Sequence, residues 1–308
     1  METWKKAVVA AIAAVAAIAA VAAAGYLEGW LGAPYVTSIE NSWGTASANQ
    51  TQLMTSVTVE NPNPFKVTIS SLHYTILLNN VTIAEGRDED VTLNGGTTVV
   101  DYISSVNMSR IPAWWSSHVA AGESTHIELV YTVHASMGPL HRSRTIHESY
   151  GTVDTDLLSA LRLTEPRDIT VSLQGEERRL LVATGFDARW DAITRQTTSI
   201  NATVELYNPH DSAVTVDTFT YHFTMNNLTV GHGSLDGEAT LPPYETRSVA
   251  VDTVIDNDAL VDWFTSHVAN NETTGYEIDS SATFTFNGQR HTVQPVHRTG
   301  TFSTNLLG

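Results

Sequence analysis

The chain has no cysteine, so disulfides, thiolate nucleophiles and thiolate metal sites are excluded at the outset. Whatever chemistry it performs must come from histidine, carboxylate, hydroxyl and amide side chains. His118 and His267 each follow an aromatic stretch, Trp114-Trp115 and Trp263-Phe264. Both read as closing the last turn of a short helix, where an imidazole meets the C-terminal carbonyls. A proton-transfer or metal role would need a partner at a recognisable spacing, and none is in evidence. His141, His147, His291 and His297 gather near segment ends but match no zinc pattern. Asp252, Asp256, Asp258 and Asp262 suggest calcium, yet the glycine and the closing glutamate of an EF-hand loop are missing. They read as solvated surface. No Gly-Xaa-Ser-Xaa-Gly, His-Glu-Xaa-Xaa-His or phosphate-cradling glycine loop occurs. The reading is therefore no catalytic residue, no cofactor and no metal.

Two other patterns involve asparagine. Asn61-Pro62-Asn63-Pro64 ends an alternating run, and Asn208-Pro209-His210 ends another. Proline holds the preceding residue extended, and asparagine amides bond nearby backbone groups. The pattern is that of a fixed corner, with ligand binding as the alternative. Asn-Xaa-Ser/Thr triplets occur at Asn49, Asn80, Asn107, Asn201, Asn227 and Asn271. They are either N-glycosylation acceptors or chance products of a chain rich in Asn, Thr and Ser. Asn80 and Asn227 are predicted to lie in equivalent hairpin turns.

These residues recur because the chain is duplicated. Trp43 and Trp190, Asn61-Pro62 and Asn208-Pro209, Tyr74 and Tyr221, and Gly86 and Gly233 all lie 147 positions apart. Thr92-Leu93 and Thr240-Leu241 lie 148 apart, and Ser117-His118-Val119 and Ser266-His267-Val268 lie 149 apart. A fixed period with two single-residue length changes means two copies of one fold.

Within each copy, short alternating runs end at turn residues. In the first copy they are Leu53–Glu60, Val67–Leu78, Val81–Glu85, Thr97–Val106 and Ile127–Val133, with a last strand ending at Thr155. Arg87-Asp88-Glu89-Asp90 reads as a charged loop. Ser109 is the expected cap of one short helix, with Pro112 in its first turn; Asp256 and Asn257 are the expected caps of its partner. The fold class is all-β: two tandem antiparallel β-sandwiches of immunoglobulin or fibronectin type III kind, each with one short helix. The expected domains are 1–34, an anchor and spacer; 35–158, the first sandwich; 159–177, a linker; and 178–308, the second sandwich.

Ala7 to Ala24 carries no charge and follows Lys5-Lys6. Eighteen helical residues span about 27 Å, near the minimum for a bilayer core. The positive flank places the N-terminus inside and the sandwiches outside, as a single-pass protein of the cell membrane. A cleaved signal peptide ending near Ala22-Ala23-Ala24-Gly25 is the competing reading; the retained transmembrane helix is preferred. The formal charge is −17, with 33 acidic against 16 basic residues. No basic stripe exists to meet phosphates, which argues against nucleic acid. An acidic, lysine-poor surface suits a halophile, in particular a haloarchaeal one, because salt screens carboxylate repulsion.

The strand ending in Asn61-Pro62-Asn63-Pro64, the apolar strand with Tyr74, and then Asn79-Asn80-Val81-Thr82-Ile83-Ala84-Glu85-Gly86 together resemble the group 2 late-embryogenesis-abundant proteins. These carry the water-stress-and-hypersensitive-response (WHy) domain, whose hallmark is Asn-Pro-Asn. The likeness covers Tyr35–Leu158 and Arg178–Leu307, and the second copy departs from the hallmark at His210. The resemblance implies a folded sandwich linked to desiccation tolerance, with no enzymatic mechanism. The expected function is a non-enzymatic, membrane-anchored protein of water-stress protection, acting on an envelope protein or lipid partner. The alternative is an extracytoplasmic adhesion or interaction module built from tandem sandwiches.

The charge balance makes one prediction. The melting temperature of the chain from residue 34 onward rises steeply between dilute buffer and molar KCl, since screening removes carboxylate repulsion. A flat thermal-melt series across that range would refute the halophilic reading of the surface.

Overall fold

A computed structural model describes Pro34–Ser303, apart from Phe65 and residues 138–139, 157, 159–162, 164 and 174–175. The apolar run from Ala7 to Ala24 lies outside the described residues. Among those described, no helix is long and apolar enough to cross a membrane.

The chain is all-β and forms two compact units whose main division falls between Asp154 and Thr155. The first sheet comprises β1 (Tyr35–Ala46), β2 (Gln50–Asn61), β3 (Val67–Leu78), β4 (Val81–Leu93), β5 (Gly96–Asn107), β6 (Ser124–Met137) and β7 (Leu140–Asp154). Its order is β1-β2-β5-β4-β3-β6-β7. A one-turn 3-10 helix, Met108–Arg110, and α1 (Ile111–Ala120) separate β5 from β6. β4 meets β5 only at Ala84/Val106 and Glu85/Ser105, whereas β2 and β5 pair from Gln50/Asn107 to Asn61/Gly96. That short junction lets β1-β2-β5 fold over β4-β3-β6-β7 as the two layers of a sandwich.

The second sheet comprises β8 (Arg167–Leu173), β9 (Glu176–Ile193), β10 (Thr197–Tyr207), β11 (Val214–Met225), β12 (Leu228–Leu235), β13 (Ala239–Leu241), β14 (Thr246–Asp256), β15 (Thr273–Phe286), β16 (Gln289–Val293) and β17 (His297–Ser303). Its order is β16-β15-β11-β12-β14-β10-β9-β8, with β13 on β11 and β17 on β15, and α2 (Ala259–Ala269) follows β14. β12 and β13 together occupy the place of β4.

Strict alternation explains the layers. Thr51, Leu53, Thr55, Val57, Val59 and Asn61 of β2 all point inward and are buried. Of these, Val57 and Val59 meet Val67, Ile69, Leu72, Tyr74 and Ile76 of β3 and Ile127, Leu129 and Tyr131 of β6 in one core. The switch from odd to even numbering in β3 coincides with a register shift between Ile69 and Ser71 against β6. The same irregularity lies between Val216 and Thr218 of β11. One extra residue re-aims everything after it, so Tyr74 can enter the core. A Cβ on Gly86 would sit 1.9 Å from the Tyr74 ring, and one on Gly233 would sit 2.1 Å from that of Tyr221. Each tyrosine thus lies over the glycine opposite it across the ladder, which accounts for two of the paired positions.

Three local expectations are corrected. Arg87-Asp88-Glu89-Asp90 lies within β4 and pairs with β3 from Ser71/Glu89 to His73/Arg87. Residues 167–173, read as linker, form β8, which pairs with β9. Ser109 is not a cap: it sits inside the 3-10 turn, where the Asn107 side chain accepts from its backbone N–H, and α1 begins without a side-chain cap.

Candidate functional site

Two polar clusters are built into each copy, and both are buried. The first is the corner after β2. Asn61 is 1 % exposed and Asn63 5 %. The Asn61 Nδ2 donates to the Leu93 carbonyl at 3.1 Å. Its Oδ1 accepts from the Asn63 backbone N–H at 3.1 Å and from Asn63 Nδ2 at 2.8 Å. Leu93 ends β4, so a single amide ties the β2–β3 corner to the β4–β5 turn. The turn reciprocates: a Cβ on Gly95 would lie 2.8 Å from the Asn63 carbonyl oxygen.

The second copy solves the same problem with different atoms. Asn208 is fully buried, and its Nδ2 reaches the carbonyls of Ser212, Leu241 and Pro242 at 2.9, 3.1 and 3.0 Å. Its Oδ1 accepts from the His210 N–H at 3.0 Å. The His210 Nε2 faces the Leu180 carbonyl at 3.0 Å, which assigns the proton to Nε2, and the ring packs on Phe286 at 4.6 Å. His210 therefore substitutes for Asn63 by binding β9 and the end of β15 rather than its own corner. Pro62 and Pro209 supply the stop that leaves each asparagine in position.

The second cluster sits at the helix end. His118 is buried in the last turn of α1. Its Nδ1 lies 2.7 Å from Thr125 Oγ1, which also accepts from Trp114 Nε1 at 3.0 Å. Trp263 Nε1 donates to Thr274 Oγ1 at the same 3.0 Å in the second copy. Burial pushes the His118 pKa down, while the Glu123 and Asp154 carboxylates pull it up; burial likewise lowers His267, against Glu272. Both imidazoles are thus disposed to be neutral at pH 7. Glu123 (φ 61) and Glu272 (φ 55) are buried in left-handed turns. The histidines and the tryptophans before them were visible in the sequence as helix ends, but their partners Glu123, Glu272, Thr125 and Thr274 were not. Their common 149-residue offset was the signal that could have found them.

A third polar group occurs in both copies and is larger in the first. Tyr74 OH bonds Ser104 Oγ, as Tyr221 OH bonds Thr253 Oγ1 at 2.5 Å. Beside Tyr74 lie Tyr102 and half-buried Asp88, whose pKa burial raises. Leu235 and Val251 occupy the matching positions in the second copy.

The remaining candidates do not converge. His147 Nδ1 lies 3.1 Å from Glu128, and His297 Nδ1 lies 3.4 Å from Asp279; the His141 side chain is outside the described set. Asp256 caps α2 through the N–H groups of Asp258 and Ala259, at 3.0 and 3.3 Å. Asn257, the other expected cap, is instead buried and holds the Thr194 carbonyl at 3.0 Å. Among the described residues no group of histidines and carboxylates is placed to hold a metal ion. Asn49, Asn80, Asn107, Asn227 and Asn271 are exposed, whereas Asn201 is half-buried inside β10. The chemical capacity of these clusters is to satisfy buried backbone and side-chain groups; Thr98 Oγ1 is the one buried side-chain oxygen or nitrogen without a bond among the described residues.

Two outcomes are expected. Asn61→Ala and Asn208→Ala each remove amide bonds from a buried corner and cost about 1–3 kcal/mol, read from denaturant unfolding of the chain from residue 34 onward. Unchanged midpoints would show that the corner does not depend on the amide. The second outcome follows from the lowered His118 pKa. Below the unfolded value of about 6.5 the unfolded chain takes up a proton that the fold resists, so stability falls as pH drops. Melting curves from pH 7 to pH 5 should fall less steeply for His118→Gln than for the parent, and parallel slopes would contradict the neutral imidazole.

The sequence signature of the family described as "Late embryogenesis abundant protein" matches residues 56–149 and 203–300, once in each copy. A crystal structure of a protein from Archaeoglobus fulgidus is similar at 26% identity and a TM-score of 0.35, covering 40% of this chain and 99% of that one. A solution structure of an Arabidopsis thaliana protein is similar at 16% identity and a TM-score of 0.30, covering 42% of this chain and 89% of that one. A β-glucuronidase of glycoside hydrolase family 2 shows 12% identity and a TM-score of 0.25, covering 85% of this chain and 25% of that one. No curated protein matches the chain. With the signature matched twice over more than half its length, the chain belongs to the late embryogenesis abundant family.

Proposed function

We propose that this chain is a non-enzymatic protective protein, held at the outer face of the cell membrane by its N-terminal apolar run, that shields envelope components when water activity falls. The observation that carries the reading is the family signature, present in both copies. The buried polar groups support it. Asn61, Asn208 and Asn257 each bond backbone carbonyls of their own copy, an arrangement that stabilises a fold and leaves little for turnover of a substrate. The charge of −17 adds a densely hydrated surface, in keeping with a water-stress protein of WHy type from a halophile. The Asn-Pro corners serve as structural fixtures in this reading, not as ligand sites.

One observation favours the alternative of an interaction module. On the outward face of β2 and β5, Met54, Val99 and Ile103 are 40%, 61% and 62% exposed. The matching positions of β10 and β14 are Asn201, Ser248 and Asp252. An apolar patch on this face in one copy, polar at the matching positions of the other, fits an envelope protein or lipid partner for that face.

The two readings separate in one experiment. A deletion strain is expected to lose survival on drying, with recovery by the full chain and by a variant carrying Met54→Asn, Val99→Ser and Ile103→Asp. Recovery by the full chain but not by the variant favours the interaction module, and undiminished survival of the deletion strain overturns protection.

A further inference from the structure

The hairpins β3–β4 and β11–β12 close through two-residue turns, Asn79-Asn80 between Leu78 and Val81 and Asn226-Asn227 between Met225 and Leu228. All four asparagines have positive φ: 47 and 63 in the first turn, 49 and 65 in the second. These are type I′ turns, whose second position favours glycine, because it alone takes φ > 0 without steric cost. Turn geometry therefore accounts for the first asparagine of each pair better than for the second.

The bonding divides the pairs in the same way. Asn79 Nδ2 donates to the Ser124 carbonyl at 2.9 Å, and its Oδ1 accepts from the His126 N–H at 2.7 Å. Asn226 Oδ1 accepts from the Gly275 N–H at 2.9 Å. The first asparagine stitches its turn to β6 or β15. Asn80 and Asn227 are exposed, and among the described residues their side chains make no hydrogen bond. Each is followed at the second position by a threonine outside the core, Thr82 or Thr229.

The other triplets are less well presented. Asn49 is followed by Thr51, which is fully buried and bonded to Met108 Sδ. Asn107 Oδ1 is engaged by both the N–H and the Oγ of Ser109, the serine of its own triplet. Asn201 is paired on both sides, with Asp252 and with Arg189. Asn271 (φ 51) lies in the turn after α2, where its N–H is bonded to the Val268 carbonyl.

We propose that Asn80 and Asn227 are N-glycosylated, placing one glycan at the same hairpin tip of each copy; this rests on the outward placement of the two copies. In the transfer, the asparagine Nδ2 attacks the anomeric carbon of an oligosaccharide linked to a lipid through phosphate. The C–N bond forms, the C–O bond to the phosphate breaks, and the lipid phosphate departs. One amide proton passes to a basic group of the transferase. A triplet that opens at an exposed hairpin tip, with its asparagine amide facing outward and its threonine outside the core, is the form such an enzyme can engage.

The test uses the full chain produced in its native host. Intact mass and glycopeptide mapping are expected to show glycans on Asn80 and Asn227. Asn80→Gly and Asn227→Gly, which suit a type I′ turn, each remove one glycan mass and leave the melting temperature of the deglycosylated chain unchanged or raised. A Glu238→Cys reporter, the sole thiol in the chain, is labelled in intact cells with a membrane-impermeant maleimide. Labelling with bare Asn80 and Asn227, or with glycans confined to other triplets, overturns the proposal while leaving the outward placement intact. Labelling only after lysis overturns the placement and the glycosylation together.

Discussion

Each copy depends on one constraint: the chain must turn a buried corner between its two layers without orphaning the carbonyls it passes. β2 ends inside the sandwich, and β3 begins in the opposite layer. Proline at the stop removes a donor, and the carbonyls that end β4 or β13 face the interior, where an unpaired acceptor costs as much as a lost hydrogen bond. A buried primary amide supplies what is missing, donating to Leu93 or Leu241 and accepting from a corner N–H. The register of β2 on β5 and of β3 on β4 follows, because both ladders finish at that clamp.

The copies agree on this amide and differ around it. Asn63 bonds Asn61, whereas His210 reaches to Leu180. Thr51 meets Met108, whereas Thr198 meets Asn257 at 2.9 Å. Tyr102 and Asp88 stand where the second copy has Val251 and Leu235. Each substitution is balanced locally, as expected when interiors tolerate change only if volume and hydrogen bonding are restored together.

Much of this was legible in the sequence, for physical reasons that also mark where legibility ended. Alternation in Leu53–Glu60 reports a half-buried strand, and the 147-residue offset reports the duplication. Arg87–Asp90 misled because β4 outruns its short pairing with β5; past that point it is an outlying strand and can carry charge. β8 was hidden similarly: it is the last strand of its sheet, with Asp168 paired to Arg179 at 2.7 Å. Ser109 was mistaken for a cap because a 3-10 turn moved the start of α1 by one residue and put Arg110 in the cap position. The Trp114, His118 and Thr125 cluster depends on a helix meeting a strand, and no local pattern encodes that meeting. Only comparison of the two copies would have exposed it.

Each sheet takes all its strands from one uninterrupted stretch, β1 to β7 from residues 35–154 and β8 to β17 from residues 167–303. Tandem copies with matching registers run a kinetic risk: a strand of one can pair in the other, and multidomain chains misassemble in this way. Here synthesis itself keeps them apart. At roughly 5–20 residues per second, a position in the second copy leaves the ribosome about 7–30 s after its equivalent in the first. β7 emerges before β9 does, so the first sheet can close before the strands that could rival its own are available. Order of birth thus adds to the differences between the strands in favouring each one's own partner.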